Sequence, residues 1–145
     1  MPAATFTFYQ DFKEQLGKAV HNLSSHTVKV ALTNTAPNTA THVALADITQ
    51  ISTGGGYTGG AGGGVALSGV SYTESGGTGT FIATDLVITA SGGSIGPFRY
   101  AVFYNDTATS PADALIGYLD YGSAITLADT ESLTLDFTTS IFTVA

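Results

Sequence analysis

Near the start of the chain, apolar side chains fall at every fourth position. Phe8, Phe12, Leu16 and Val20 repeat, with Asp11, Lys13, Glu14 and Lys18 between them. That spacing lays one apolar stripe along a helix and predicts a short amphipathic helix at about residues 8–20. Thr5 or Thr7 stands where a cap is needed, and His21, Asn22 and Ser24-Ser25 end the run. The period then changes to two. Val28, Val30 and Leu32 alternate with Thr27, Lys29, Ala31 and Thr33, the pattern of a half-buried strand. Residues 34–41, with Pro37, read as a loop. A weaker alternation predicts a strand at 42–51. Clearer runs predict strands at 65–73, 80–89, 98–104, 115–121, 131–137 and 141–144. Ser75-Gly76-Gly77, Ser91-Gly92-Gly93, Asn105-Asp106 and Ser110-Pro111-Ala112-Asp113 supply turns between them. The run Phe98-Arg99-Tyr100-Ala101-Val102-Phe103-Tyr104 is the expected central strand. About eight short strands at this spacing predict a mainly β fold. The expectation is an antiparallel β-sandwich or jelly roll with one short N-terminal amphipathic helix.

The length, 145 residues, fits one domain over 1–145. It divides into an N-terminal arm at 1–7, the helix and the sandwich. Twelve of the 18 glycines fall between positions 54 and 79. At 54–64 they form a nearly pure glycine loop, Gly-Gly-Gly-Tyr-Thr-Gly-Gly-Ala-Gly-Gly-Gly. Glycine loses the most freedom on ordering, so this loop is expected to stay mobile until something covers it.

Charge narrows the functional classes. Only 10% of residues are charged, against about 25% in an average soluble domain. The net charge is −7, and the only cations are Lys13, Lys18, Lys29 and Arg99. Phosphate backbones are bound mainly by clustered Lys and Arg, so direct nucleic-acid binding is not expected. The same shortage weakens adhesion to anionic lipid. No run approaches the ~20 apolar residues of a membrane helix. The N-terminus lacks the basic start and apolar run of a signal peptide, so assembly in the cytoplasm is expected. There is no cysteine, which excludes disulfides and thiolate chemistry.

Several motifs carry chemistry elsewhere and lack its context here. Gly54-x-Gly56-x-x-Gly59 matches a dinucleotide fingerprint, but more glycine and a strand follow it instead of a helix N-terminus. Gly92-x-Ser94-x-Gly96 matches a nucleophile elbow. Pro97 and a strand follow it, and all three histidines lie upstream. His21 and His26 lack a third zinc ligand. Asp106, Asp113, Asp120 and Asp129 are too far apart for a calcium loop. No cofactor, metal or catalytic residue is expected, and the chain reads as a non-enzyme. Tyrosines remain. Tyr57, Tyr72, Tyr104, Tyr118 and Tyr121 combine an apolar body with a polar tip, which suits either a core or an interface.

Three blocks carry a family resemblance. HNLSSHTVKVALTNTAP at 21–37, Leu45-Ala46-Asp47-Ile48-Thr49, and SGGSIGPFRYAVFYNDTATSPADALIGYLDYGS at 91–123 with Thr126-Leu127-Ala128-Asp129 resemble small virion structural proteins of tailed bacteriophages. The likeness spans most of the chain, and only 54–79 diverges. It implies a capsid decoration, or cement, protein made in the host cytoplasm. Such a protein sits on the outer capsid surface of the virion and binds the major capsid protein as a dimer or trimer. It supplies no catalytic residues. A tail or fibre component is the alternative, and a glycan-binding β domain is the second. Expected partner contacts lie in irregular segments, at Pro2 and Phe6 of the arm and at Tyr57 and Tyr72.

Overall fold

The computed structural model describes residues 5–137 and 139–145. The fold is mainly β, with antiparallel sheets in a sandwich-like arrangement and one short helix. The elements are β1 (Thr7–Phe8), α1 (Gln10–Gly17), β2 (Val28–Thr33), a 3₁₀ turn (Leu45–Asp47), β3 (Val65–Ala66), β4 (Ser71–Ser75), β5 (Thr78–Ile82), β6 (Leu86–Thr89), β7 (Ile95–Thr109), β8 (Ala112–Leu127), β9 (Ser132–Leu135) and β10 (Phe142–Val144). A five-stranded sheet has the order β1-β8-β7-β2-β3. A three-stranded sheet, β10-β5-β4, and a two-stranded sheet, β6-β9, complete the framework.

The predicted central strand is central. β7 stands third of five and pairs with β2 through Val28↔Asn105 to Thr33↔Tyr100. It is buried on both faces. Ala101 and Phe103 enter the main core with Val28, Val30, Leu32, Phe81, Ile88 and Leu135. Val102 and Tyr104 enter a second core with Tyr9, Ala31, Leu45, Ile48 and Leu115. The second core changes the reading of β2. Its polar-side positions, Ala31 and Thr33, are 0% exposed because the segment around the 3₁₀ turn covers them. That segment is not the strand expected at 42–51. It keeps only single bridges, Thr33↔Gln50 and Ala44↔Ala114. Asp47 accepts the Val43 and Ala44 amides at 2.8 and 3.1 Å and holds the turn.

Two predicted strands are each split between sheets. The run at 65–73 leaves β3 in the large sheet, turns at Gly69 (φ 62) and enters β4 in the three-stranded sheet. The run at 80–89 leaves β5 and enters β6, and between them Asp85 accepts the Phe137 amide at 2.7 Å. Gly76 and Gly77 both have positive φ, 58° and 87°, and close the tight hairpin between β4 and β5 as predicted. Ser110-Pro111 turns β7 into β8. Asn105-Asp106, expected as a turn, lies inside β7. There Asn105 Oδ1 accepts the Thr107 and Ala108 amides at 3.0 and 3.2 Å, within an irregular stretch of the β7–β8 register. The side chain that suits a turn here shapes a bulge instead.

The helix is shorter than its stripe. Thr7 and Phe8 pair with Tyr118 and Gly117 of β8, so neither expected threonine caps the helix, and Tyr9 stands at the N-cap without a side-chain bond. At the other end Ala19 takes φ 62. Its amide bonds to Leu16 O and that of Val20 to Gln15 O, the paired bonds of a Schellman ending. Phe12 is 2% exposed. Its ring lies 5.2 Å from Phe8 and 5.8 Å from Phe142. Phe142 also meets Phe6, Phe8 and Phe81 at 5.0 Å, so one aromatic cluster joins both ends of the chain.

Candidate functional site

The glycine loop has a defined conformation, tied to the large sheet from several directions. Tyr57 is its pin. The side chain is 2% exposed, and its hydroxyl accepts the Leu32 amide at 2.9 Å and donates to Gln50 Oε1 at 2.8 Å. Gln50 Nε2 then donates to Gly60 O at 2.9 Å. On the other side Lys29 Nζ donates to Gly62 O at 2.9 Å and pairs with Asp106 at 3.2 Å. The Gly62 amide reaches Asp113 Oδ2 at 3.3 Å, and the Tyr104 hydroxyl donates to Gly63 O. Burial raises the pKa of Tyr57 and of Tyr104, so both hydroxyls stay protonated as donors. The loop also bonds to itself, Gly54 with Tyr57 and Gly64 with Thr58.

Glycine is needed here for approach. A Cβ on Gly64 (φ +90) would stand 2.3 Å from Val30 O, and one on Gly55 (φ +61) would stand 2.5 Å from Ser94 O. The loop therefore lays its backbone directly on β2 and on the entry to β7. Beyond the short pairing with β3, the Tyr57 hydroxyl accepts the Leu32 amide and the Ile51 amide donates to Leu32 O, so this stretch of β2 is not left open for pairing. The expected mobile loop is instead a cover over the part of β2 that β3 does not pair. Its outer side, with Ser52, Thr53, Thr58 and Ala61 exposed, carries no charged side chain.

The predicted contact residues are not brought together. Pro2 lies outside the described residues. Phe6 is half-buried and turned inward, with its ring 5.3 Å from Phe103 and 5.0 Å from Phe142. It fills the space above Gly117, where any Cβ would collide with it. Tyr57 points inward, so its ring is not a surface contact. Tyr72 remains half-exposed. With Leu16, Ala19, His21, Asn22, Leu23 and Ser24 it lines a cavity of about 320 Å³.

The motifs set aside in the sequence serve local structure. The Gly92 amide donates to Asp129 Oδ1 at 3.0 Å, closing the turn that leads into β7 through Ser94. His42 Nδ1 accepts the Asn38 amide at 3.2 Å. His21 and His26 converge on Asn105 at 3.1 and 2.9 Å. No group of three metal-ligating side chains occurs among the described residues. No helix among them is long and apolar enough to cross a membrane. The acids are mostly turn locks. Besides Asp47, Asp85, Asp113 and Asp129, Glu74 accepts the Gly77 amide and Glu131 the Ala128 amide, each at 2.7 Å. Asp120 accepts the Gly122 amide at 2.8 Å and takes a two-pronged pair from Arg99 at 2.8 and 3.0 Å. Lys18 pairs with Glu14. Asn105, which organises some of these contacts, reads in the sequence as part of a turn, because an amide at a bulge reads the same as one in a turn, and Gln50 carries no sequence signal.

No protein-family model, curated protein or solved structure matches the chain.

Proposed function

We propose that this chain is a capsid decoration protein of a tailed bacteriophage. It binds the major capsid protein on the outer surface of the assembled head and bridges neighbouring subunits as a homo-oligomer. The resemblance of residues 21–37 and 91–123 to small phage virion proteins carries the reading. The physical character of the surface supports it. Three of the four cations are held in ion pairs, and most acids accept backbone amides. What remains for a partner is largely Thr, Ser, Gly and Ala on a rigid sandwich. Covering such a surface immobilises few flexible side chains, which keeps the ordering cost of association low. The tethered glycine loop is part of that surface and needs little further ordering. No catalytic step is assigned.

The contact lies on the outer side of the loop, at Thr58 and Ala61, and beside Tyr72. A cement protein that binds only the assembled shell shifts the shell's stability by mass action, repeated at every lattice site. Shells stripped of the protein and then incubated with it should regain it in hundreds of copies, counted by quantitative mass spectrometry. They should also withstand higher temperature. With few ions at the contact, occupancy should change little between low and high salt. Recovery of a few copies on the tail, or none on the shell, defeats the reading.

A further inference from the structure

Asn105 is 0% exposed and sits where β2, β7 and the segment 18–27 meet. Its carboxamide has only one possible orientation. Oδ1 accepts the Thr107 and Ala108 amides, so Nδ2 must face the two imidazoles. The two Nδ2 hydrogens go to His21 Nδ1 at 3.1 Å and His26 Nδ1 at 2.9 Å. Both rings therefore accept at Nδ1, and the proton of neutral His21 lies on Nε2. The Asn22 amide also donates to His26 Nδ1, at 3.3 Å. One buried amide thus anchors two histidines that stand on either side of a short loop.

Protonating His21 at Nδ1 turns an acceptor into a donor facing a donor. It also places a charge where no carboxylate is seen to meet it. From α1 the ring of Phe12 packs 5.1 Å from His21; Asp11, next to Phe12 in the chain, accepts from Gln15 through Oδ1 and keeps its Oδ2 buried without a hydrogen-bond partner. From β7 the next acid, Asp106, is held by Lys29 of β2. The neighbouring charge that acts on His21 is that of His26, which repels a second proton. His21 is 6% exposed and its Nε2 has no partner, so solvent offers it little compensation.

We infer that the His21–Asn105–His26 cluster is an acid-sensitive latch, in which protonation of His21 frees the segment 18–27 from β7. Leu23 also anchors the segment in the main core, and its other hydrogen bonds to β7 are two near its end, Asp106 N to Thr27 O and Thr27 N to Thr107 Oγ1, both 2.9 Å. The segment also forms one wall of the cavity faced by Tyr72. Release therefore reshapes that surface while the sheets stay intact.

The sign follows from the burial of His21, which pushes it down to about 4 from 6.5. The latched state binds fewer protons than the released one. Its stabilisation is complete above pH 6.5 and is lost as pH falls from 6.5 towards 4. At pH 4.5 the latched population should drop relative to the released one by roughly a hundredfold. Amide exchange by NMR, corrected for intrinsic rates, tests this on the intact chain. Protection in 18–27 should fall by up to that factor between pH 7 and 4.5, while Val102 and Phe103 hold theirs. His21→Asn puts an oxygen near the Nδ1 position and cannot take up the proton, so its protection should stay level. Asn105→Asp supplies a carboxylate that welcomes imidazolium and should make acid strengthen the segment. If that variant does not fold, the wild type and His21→Asn decide alone. Unchanged protection in 18–27, a uniform loss over all strands, or an equal loss in His21→Asn overturns the latch.

Discussion

At the scale of single residues, Tyr57 changes most between sequence and structure. A tyrosine in a glycine loop suits an exposed contact. Here its ring is in the core and its hydroxyl is the only bond drawn to the Leu32 amide, a β2 group with no strand beside it. Tyr57→Phe keeps the ring and removes the oxygen. The Leu32 amide is then buried without an acceptor, which costs about 1–3 kcal/mol. The denaturant midpoint should fall accordingly, and Leu32 should show faster amide exchange. An unchanged midpoint would mean that water replaces the hydroxyl. Phe6 makes the same lesson from the opposite side. Its apolar side chain near a chain end fits an anchoring arm, yet Gly117 leaves a space that the ring fills within its own molecule.

At the scale of elements, the glycine loop works by backbone contact. Two of its left-handed glycines separate conformational strain from collision. Gly60 (φ +85) has open space around its missing side chain, whereas Gly64 (φ +90) rests on Val30 O. Gly60→Ala should cost only the left-handed penalty, about 1–2 kcal/mol. Gly64→Ala adds a clash with rigid β2 backbone, so the loop must lift and give up bonds such as that of Gly64 N to Thr58 O. Its melting temperature should drop well beyond that of Gly60→Ala. Equal drops would show that the loop moves aside freely. The strands show a related limit of pattern reading. Alternation continues through 65–73 and 80–89, but the chain changes sheets in the middle of each. Period two records which side chains are apolar, not which sheet receives them.

At the scale of the whole molecule, the acidic balance is a structural resource as well as a surface property. Hydrogen bonds from Val43 and Ala44 hold the Asp47 carboxyl below its usual range, and the bond from Arg99 does the same for Asp120. Depressed carboxyls stabilise the fold above their unfolded pKa values, and that stability is lost as pH falls through the folded ones. Melting temperature should therefore decline below about pH 4, after the local loss in 18–27. Asp47→Asn should flatten part of that decline. A profile identical to wild type would remove Asp47 from the account.

The sequence by itself determined what is local. Phe12 and Leu16 of the apolar stripe mark the helix, Gly76-Gly77 and Ser110-Pro111 mark tight turns, and the run from Phe98 marks the middle of a sheet. Each of these depends on neighbours a few positions away, so a linear pattern contains it. The functional proposal rests on the resemblance read from residues 21–37 and 91–123. Only the tertiary structure decided where Phe6, Tyr57 and Asn105 point, that Ala31 and Thr33 are covered, and where two runs change sheets. In each case the deciding partner lies far along the chain: Gly117 for Phe6, Leu32 for Tyr57, His21 and His26 for Asn105. Burial and hydrogen bonding are settled by what packs across the space, and side-chain type alone does not specify that partner.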